Sequence, residues 1–378
     1  MAAYSRVGRD PADRCRRLAP LACAAFACAV LAVVALVAGC AARPLGLGSR
    51  PATSAPPAQT SPASKSAEVT GAAPGASVTA SQPVGTTPAT PSVAPTAAAS
   101  APTPRPRRGL PRTLDTRAIL ADTRRIAAFG VRRGGSVAEH EAAGYILGKL
   151  RGAGYAPKVQ AFRLPGGQLS HNIWIVIPGT DSRRIVLSAH IDSRVPAPGA
   201  NDDAVGCAAL LALARAAKGR QPTPTIEIDF FGSEEFRDAT PGAHHFGSRA
   251  RVASLTRRQL RHVSGMITLD VIAVGSRLHT RTMGRGPLTM SNLLIRTARR
   301  QGVVMTYLRD PGATGWSDHE RYEEAGVPVA WVERLTDPAY HTTRDTAWRL
   351  TARPIAQTMR IVLAAVNSLD VAGLNRLR

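Results

Sequence analysis

Histidines and carboxylates lie in four short patterns whose residue types could bind divalent metal ions. The patterns read IVLSAHIDSRVPAPGANDDAVG (185–206), IEIDFFGSEE (226–235), MITLDVIAVG (266–275) and YHTTRDT (340–346). Imidazole nitrogens and carboxylate oxygens bind zinc and similar ions, which hydrolases use to activate water. The patterns therefore predict a metal-dependent hydrolase, and its candidate ligands are His190, Asp202, Glu235, Asp270 and His341.

Two pairs of adjacent carboxylates have different expected roles. Asp202 and Asp203 occupy a glycine-flanked turn before a predicted helix, where two like charges are costly unless cations neutralise them. Asp202 is therefore predicted to bridge two ions, whereas Asp203 also suits a helix N-cap. Glu234 and Glu235 directly follow an apolar strand, so one can bind metal while its neighbour acts as general base toward water.

Other residues of these patterns are expected to assist the ligands. Asp192 lies two residues after His190, on the same strand face, and could orient its imidazole. Asp270 interrupts an apolar strand and needs a partner, which is either a metal ion or an arginine. Tyr340 carries a hydroxyl that could donate to a developing oxyanion.

The remaining histidines of the region receive smaller roles. In the segment SDHE, Ser317 and Asp318 are predicted helix caps, and His319 is expected to support the site without binding metal. His244 and His245 are interpreted as loop residues, because no ligand pattern surrounds them.

Regular elements are predicted from residue 114 onward. Apolar periodicity predicts helices at 116–129, 137–150, 204–217, 289–301, 318–325 and 351–369, and strands at 158–164, 172–177, 184–189, 225–231, 265–273 and 328–332. This alternation predicts one α/β domain of three layers, with a mixed and mostly parallel central sheet. Sites in such sheets gather at the carboxyl ends of the strands, where the histidine and glutamate patterns stand.

The region before this domain has the composition of an export segment and a spacer. Basic residues precede an uncharged run at 18–42, which contains Gly39-Cys40 and resembles a bacterial lipoprotein signal, with Val37 in place of the usual Leu. An uncleaved signal anchor and plain secretion are the alternatives. Residues 41–112 are rich in Pro, Ala, Ser and Thr and are predicted to be disordered. The expected division is 1–40 signal, 41–112 linker and 113–378 catalytic domain, exported and held at the membrane through a lipidated Cys40 or the anchor.

Charge and cysteine content limit the possible partners. The chain carries a formal net charge of +22, mostly from scattered arginines, without a basic stripe or an RNA-binding motif. A solvated basic surface is therefore predicted, and nucleic acid is not an expected partner. Cleavage before Cys40 would leave only Cys40 and Cys207, so no disulfide framework is expected.

The same blocks resemble the M28-type co-catalytic zinc aminopeptidases, of the bacterial leucyl aminopeptidase type. AHIDSR, PGANDDAVG, FFGSEE, GSR, LDVI, SDHERYEEAGVP and YHTTRDT occur in the family's order between residue 114 and the C-terminus. Two departures are the long polar stretch 236–246 and Tyr322, which stands where Phe is usual.

The resemblance implies roles for individual residues. One zinc ion would take His190 and Asp270, the other Glu235 and His341, with Asp202 between them. Glu234 would act as general base toward a metal-bridged hydroxide, Tyr340 would stabilise the oxyanion, and the residues that would support the ligands are Asp192, Asp203 and His319. The implied protein is a monomeric aminopeptidase with two Zn²⁺ that acts on peptides with a free N-terminus.

Two other functions remain open at this point. A glutaminyl cyclase, from a related branch, would use one zinc ion; the polar stretch 236–246 and the following GSR favour it. That branch has Asp-Ser at the position of Asp202-Asp203 and Trp at the position of Tyr340. A non-catalytic binding module would have lost ligands, and none is missing here.

Overall fold

The computed structural model describes residues 106–235, 242–312 and 314–377. The predicted signal segment, Cys40 and nearly all of the predicted linker lie outside these residues. The strands are β1 (Arg107–Arg108), β2 (Lys158–Arg163), β3 (Leu169–Ile177), β4 (Asp181–His190), β5 (Arg220–Gln221), β6 (Pro224–Phe231), β7 (Val263–Leu269), β8 (Arg277–Thr282), β9 (Met305–Arg309) and β10 (Val329–Leu335). The helices are α1 (Thr116–Ala127), α2 (Val137–Gly152), α3 (Val205–Ala217), α4 (Phe246–Ala253), α5 (Arg257–Arg261), α6 (Thr289–Arg300), α7 (His319–Glu324), α8 (Ala352–Asn367) and α9 (Val371–Asn375).

The main sheet has the strand order β2-β3-β6-β4-β7-β10-β8-β9. Its four central strands, β6, β4, β7 and β10, are parallel, and so is the edge pair β8 and β9. The pairs β2–β3, β3–β6 and β10–β8 are antiparallel. Because the four central strands run in one direction, their carboxyl ends meet at one edge of the sheet.

Alternate residues of the central strands face two different apolar layers. On β4, Ile185, Leu187 and Ala189 join the larger core, whereas Val186 joins a smaller cluster on the opposite face. The larger core also contains residues of α1, α2, α3, α6 and α8, and the smaller one contains Tyr322 of α7. This alternation follows from the two-residue period of a strand. The predicted three-layer α/β domain with a mixed, mostly parallel sheet is confirmed.

The first described residues are attached to the domain. Arg107 and Arg108 pair with Arg220 and Gln221 in a small parallel sheet. Leu110 is buried, and its backbone N–H donates to Asn367 Oδ1 at 2.7 Å. Described residues before the predicted boundary at residue 113 thus also contact the domain.

Several elements differ from those predicted. The strand predicted at 265–273 ends at Leu269, because the chain turns at Asp270 and Val271 has a φ of 58°. Strands β8 and β9 and helices α4, α5 and α9 were not predicted. Strand β8 reads RLHTRT, whose polar residues hide its pairing with β10. Among the described residues, no helix has both the length and the apolar character needed to cross a membrane.

Candidate metal centre

The candidate ligands follow the four parallel strands at the centre of the sheet. His190 is the last residue of β4, and Asp270 comes directly after β7. Glu235 follows β6 after a short turn, and His341 lies in the loop that leaves β10. The fifth candidate, Asp202, precedes α3. The parallel sheet thus brings residues from distant parts of the chain to one edge.

Asp202 lies between two groups of side chains. Its Oδ1 is 3.0 Å from His190 Nε2, which is 3.7 Å from Asp270 Oδ1. Its Oδ2 is 3.0 Å from His341 Nε2, which is 3.3 Å from Glu235 Oε1. Donor atoms around a tetrahedral zinc ion lie about 3.3 Å apart, because each is about 2.0–2.1 Å from the metal. Both groups have the spacing that one ion requires.

The side-chain atoms that face each other are also poor hydrogen-bond partners. Asp202 Oδ2, Glu235 Oε1, Asp270 Oδ1 and His341 Nε2 are buried, yet none makes an aligned hydrogen bond. Unpaired buried polar atoms are costly, and one cation in each donor group would satisfy all four. The donor set fits two divalent ions, with the Asp202 carboxylate shared between them.

Asp192 supports both sides of the centre. Its Oδ1 lies 3.4 Å from His190 Nδ1 and accepts a hydrogen bond from the backbone N–H of Glu234 at 2.8 Å. Its Oδ2 accepts from the backbone N–H of Glu235 at 3.1 Å. Asp192 therefore orients the turn that carries the two glutamates, a contact that the spacing to His190 alone did not predict.

A buried glutamate holds the start of the same turn. Glu139 of α2 accepts hydrogen bonds from the backbone N–H of Ser233 at 2.9 Å and from Ser170 Oγ at 2.7 Å. Burial, followed by the charge of Asp192, raises the pKa of Glu139 to about 8. The backbone N–H groups of three successive residues, from Ser233 to Glu235, thus donate hydrogen bonds to two buried carboxylates, Glu139 and Asp192.

A fully buried arginine holds the loop between His190 and Asp202. Arg132 donates through Nε to the Ile191 carbonyl at 2.7 Å, and through its terminal nitrogens to the carbonyls of Pro198 at 2.5 Å and Gly199 at 2.9 Å. The prediction of a solvated basic surface is therefore wrong for this residue. Asp345 fixes the other end of the loop by accepting from the backbone N–H of Asp202 at 3.2 Å.

The predicted supporting residues Asp203 and His319 and the predicted helix cap Ser317 make different contacts around the ligands. Asp203 accepts from the backbone N–H of His190 at 3.2 Å and from that of Gly206, in the first turn of α3, at 3.0 Å. Ser317 donates to Asp270 Oδ2 at 2.7 Å, so its predicted role as a helix cap is wrong. His319 lies farther out, where its Nε2 contacts Asp310 Oδ2 at 2.8 Å.

A cavity of about 340 Å³ opens beside the centre. Its lining includes Glu234, Tyr340 and Trp316, together with the candidate ligands Asp202, Glu235, Asp270 and His341. The Tyr340 ring stacks on the His341 ring, with centroids 3.7 Å apart. Burial of its hydroxyl, followed by the charges of Asp202 and Glu235, raises the pKa of Tyr340, so the phenol stays protonated and able to donate.

The carboxylates and imidazoles of the centre perturb one another. Burial raises the pKa of Glu234 to about 8 and that of Glu235 to about 7. Burial opposes the charged form of His341, but its contacts with Asp202 and Glu235 raise its pKa to about 10. Burial would also raise the pKa of Asp202, yet His190 and His341 lower it overall. These groups already compensate charge among themselves, as expected for a site that exchanges protons for cations.

His245 lies in a loop directly before α4, as interpreted, but it also contacts the candidate general base, a role that the sequence did not predict. Its Nε2 lies 3.0 Å from Glu234 Oε1, and its Nδ1 lies 2.5 Å from Glu320 Oε2. His244 stacks edge-on against it, with ring centroids 4.0 Å apart. The GSR motif that follows shortly after His245 indicated a relation of this segment to the family, but the local sequence did not predict that the segment contacts Glu234.

Backbone strain is concentrated at the same edge of the sheet. Among the described residues, the non-glycine residues with positive φ are Ser233 (51°), His245 (53°), Val271 (58°) and His341 (56°). Each one either belongs to the centre or adjoins one of its side chains. Such conformations cost about 1–3 kcal/mol each and persist where surrounding contacts enforce them.

Known proteins share this arrangement of elements and motifs. The model for peptidase family M28 matches residues 172–366, which include all five candidate ligands. The chain belongs to peptidase family M28. The family match agrees with the resemblance that the sequence blocks carry.

Individual relatives cover different parts of the chain. Leupeptin-inactivating enzyme 1 of Streptomyces exfoliatus is 30% identical over 220 residues, which cover 56% of this chain and 47% of that protein. The chain thus spans about half the length of this curated relative. The solved aminopeptidase from Aneurinibacillus sp. strain AM-1 has a TM-score of 0.62 at 18% identity and covers 68% of this chain and 94% of its own.

A solved glutaminyl cyclase shares the fold as well. The enzyme of Tannerella forsythia has a TM-score of 0.56 at 21% identity, over 68% of this chain and 100% of its own. Likeness at this level of identity shows the fold alone, so it does not separate the two activities.

Proposed function

We propose that this chain is an exported zinc metallo-aminopeptidase that hydrolyses the first peptide bond of peptides. One observation carries the proposal: the two oxygens of Asp202 each lie 3.0 Å from a different histidine nitrogen. A carboxylate in that position suits a bridge between two ions. The aminopeptidases among the relatives support it, and so does the presence of every expected ligand, which a non-catalytic binding module would have lost.

The ions would supply Lewis-acid chemistry, lowering the pKa of water and polarising the scissile carbonyl. Glu234 is then the group that accepts the proton of the attacking water and passes it to the leaving amine. Its carboxylate lines the cavity, and Asp192 holds its backbone N–H. Tyr340 is placed to donate a hydrogen bond to the oxyanion that forms at the carbonyl.

The volume of the cavity suits one end of a peptide substrate better than a long segment of it. At about 340 Å³ it is near the lower end of ordinary ligand pockets. It is lined by four carboxyl groups of the centre, whose oxygens can accept hydrogen bonds from the amine at the start of a peptide. We therefore propose peptides with a free N-terminus as substrates.

Replacement of the general base tests the mechanism. Glu234→Gln removes the proton acceptor but keeps the shape of the side chain, so turnover of an aminoacyl-anilide should fall by about two to four orders of magnitude. Metal content, measured by mass spectrometry, should stay at two ions per chain. Glu141→Gln, at an exposed position on α2, is the matched control and should behave as wild type. Wild-type turnover in Glu234→Gln would remove this residue from the reaction.

Cyclisation of N-terminal glutamine is the alternative activity. The polar stretch 236–246 favours it, whereas the two complete donor groups around Asp202 favour an enzyme with two ions. Metal analysis beside a panel of aminoacyl-anilides and N-terminal Gln peptides separates the two. Two ions with anilide release support the peptidase; one ion with pyroglutamate formation supports the cyclase.

The cellular location is a separate proposal that rests on the N-terminal sequence. We propose that the chain is exported and held at the cell envelope through lipidated Cys40. Cys40→Ser should abolish labelling of the protein by a radioactive fatty acid. Unchanged association with membranes in that variant would favour the uncleaved signal anchor.

A further inference from the structure

A histidine near the end of the polar stretch 236–246 contacts the candidate general base. His245 contacts Glu234 at two points. Its Nε2 lies 3.0 Å from Glu234 Oε1, and its backbone N–H donates to the Glu234 carbonyl at 2.7 Å. One residue therefore holds both the carboxylate and the main chain of Glu234.

The backbone around His245 is arranged to make this contact. His245 has a φ of 53° and immediately precedes α4, and the next N–H, of Phe246, donates to the Ser233 carbonyl at 3.0 Å. Gly247 lets α4 approach the end of β6, since a Cβ there would lie 2.4 Å from the Gly232 carbonyl oxygen. A left-handed histidine is uncommon and is usually retained where its position matters.

A second carboxylate fixes the other side of the ring. His245 Nδ1 lies 2.5 Å from Glu320 Oε2, and Arg321 lies 3.3 Å from the same oxygen. All three residues of the relay, Glu234, His245 and Glu320, are buried. Burial opposes protonation of His245, but Glu234 and Glu320 raise its pKa to about 10, so both ring nitrogens can donate.

Metal binding is the other chemistry that this cluster could perform, since His244, His245 and Glu320 lie within reach of one ion. The 2.5 Å separation between His245 Nδ1 and Glu320 Oε2 argues against it. Two donors on one tetrahedral zinc ion lie about 3.3 Å apart, whereas a charge-assisted hydrogen bond has the shorter separation.

We propose that His245 is a positioning residue for the peptidase reaction, which fixes Oε1 of Glu234 so that the other oxygen exchanges the proton with water and with the leaving amine. Glu320 in turn orients the His245 ring. The inference rests on the proposed function and extends it to two residues that are not among the five candidate ligands.

Two single substitutions test the relay. His245→Asn keeps a side chain that tolerates the left-handed backbone but is too short to reach Glu234. It should lower kcat by about ten- to a hundredfold, as loss of a partner behind a reacting group does, with KM and metal content within about twofold of wild type. Glu320→Gln leaves the backbone at residue 245 untouched and should lower kcat in the same direction by less. The control is His279→Asn, which removes a buried histidine on β8 bonded to Thr306 and should keep wild-type kcat.

A double variant decides between positioning and general damage. If His245 acts through Glu234, adding His245→Asn to Glu234→Gln should cause little further loss of kcat. Equal losses in both backgrounds, or wild-type kcat in both His245→Asn and Glu320→Gln, would overturn the inference. Should the wild-type chain release no amine from any peptide or anilide, the proposed function itself fails and the inference falls with it. If the wild-type chain is active and Glu234→Gln is not, wild-type kcat in His245→Asn contradicts the inference but leaves the proposed function standing.

Discussion

His190 and Asp270 form an almost fully buried, enclosed pair, whereas His341 and Tyr340 form a more open pair; Asp270 and the open pair border the cavity. The first two residues are 1% and 4% exposed, while the His341 side chain is 26% exposed and Tyr340 is 43% exposed. The enclosed group ends two buried strands, and the open group lies on a loop beyond β10. An ion held by His190 and Asp270 would therefore have only buried ligands from these two strands, whereas an ion held by Glu235 and His341 would have one partly exposed ligand.

This difference assigns separate tasks to the two positions. An ion in the enclosed group would be expected to dissociate slowly, because its ligands are buried. An ion in the group with the partly exposed His341 would be expected to dissociate more readily. We expect a chelator to remove the ion at Glu235 and His341 before the one at His190 and Asp270.

Removing the shared ligand should erase the difference between the two positions. Asp202→Asn takes a negative charge from both groups at once, so both ions should bind far more weakly. Turnover should fall by about three orders of magnitude or more, because bound ions supply several kcal/mol of transition-state stabilisation. Metal content and anilide hydrolysis check this. Two retained ions with substantial turnover would mean that Asp202 does not bridge.

Removing one histidine from each group should sharpen the comparison. His190→Asn leaves Asp202 and Asp270 buried without their partner, which should cost about 3 kcal/mol in the free energy of unfolding of the metal-free protein. His341→Asn also leaves two buried carboxylates, Asp202 and Glu235, without their partner, but the His341 side chain is partly exposed to solvent, so this variant should lose less stability than His190→Asn. Urea unfolding of both variants measures the difference. Equal destabilisation would show that the two groups are equally enclosed.

A further expected effect is a pH dependence confined to the metal-free protein. Folding raises the pKa of Glu235 from 4.5 to about 7, through burial. It also raises that of His341 from 6.5 to about 10, because contacts with carboxylates outweigh burial. The folded state then binds more protons than the unfolded state, so these groups make stability fall as pH rises from about 4.5 to about 10.

Metal-loaded protein should lack this fall, because ligands must lose their protons to bind an ion. Chemical unfolding of chelator-treated and zinc-loaded protein at about pH 6 and about pH 9 compares the two. In Glu235→Gln the part of the slope below about pH 7 should be smaller. Metal-free protein that becomes more stable at the higher pH would contradict the cited shifts.

The central strands and the candidate ligands could be predicted because local sequence marks them. Apolar runs followed at once by His190 or by the two glutamates already indicate strand ends, and parallel strands place those ends together. Strands β8 and β9 escaped prediction because their polar residues carry no clear two-residue period. Asp270 was assigned to a strand because apolar residues continue beyond the actual turn.

The contacts that hold the ligands could not be predicted, since their partners are distant in sequence. Glu139 lies 94 residues before Ser233, and Arg132 lies 59–67 residues before the carbonyls that it binds. The local sequence does not distinguish a buried arginine from an exposed one in a chain that contains many arginines. The role of His245 likewise follows only from the fold, which brings its side chain into contact with Glu234.

The left-handed residues Ser233, His245, Val271 and His341 have an evolutionary consequence. A laboratory search that selects for heat resistance alone is expected to return glycine or asparagine at these positions, since both relax the backbone there. Such variants should survive heating better and work more slowly. Selection for turnover is then expected to retain the strained residues at this edge of the sheet, and with them a lower resistance to heat.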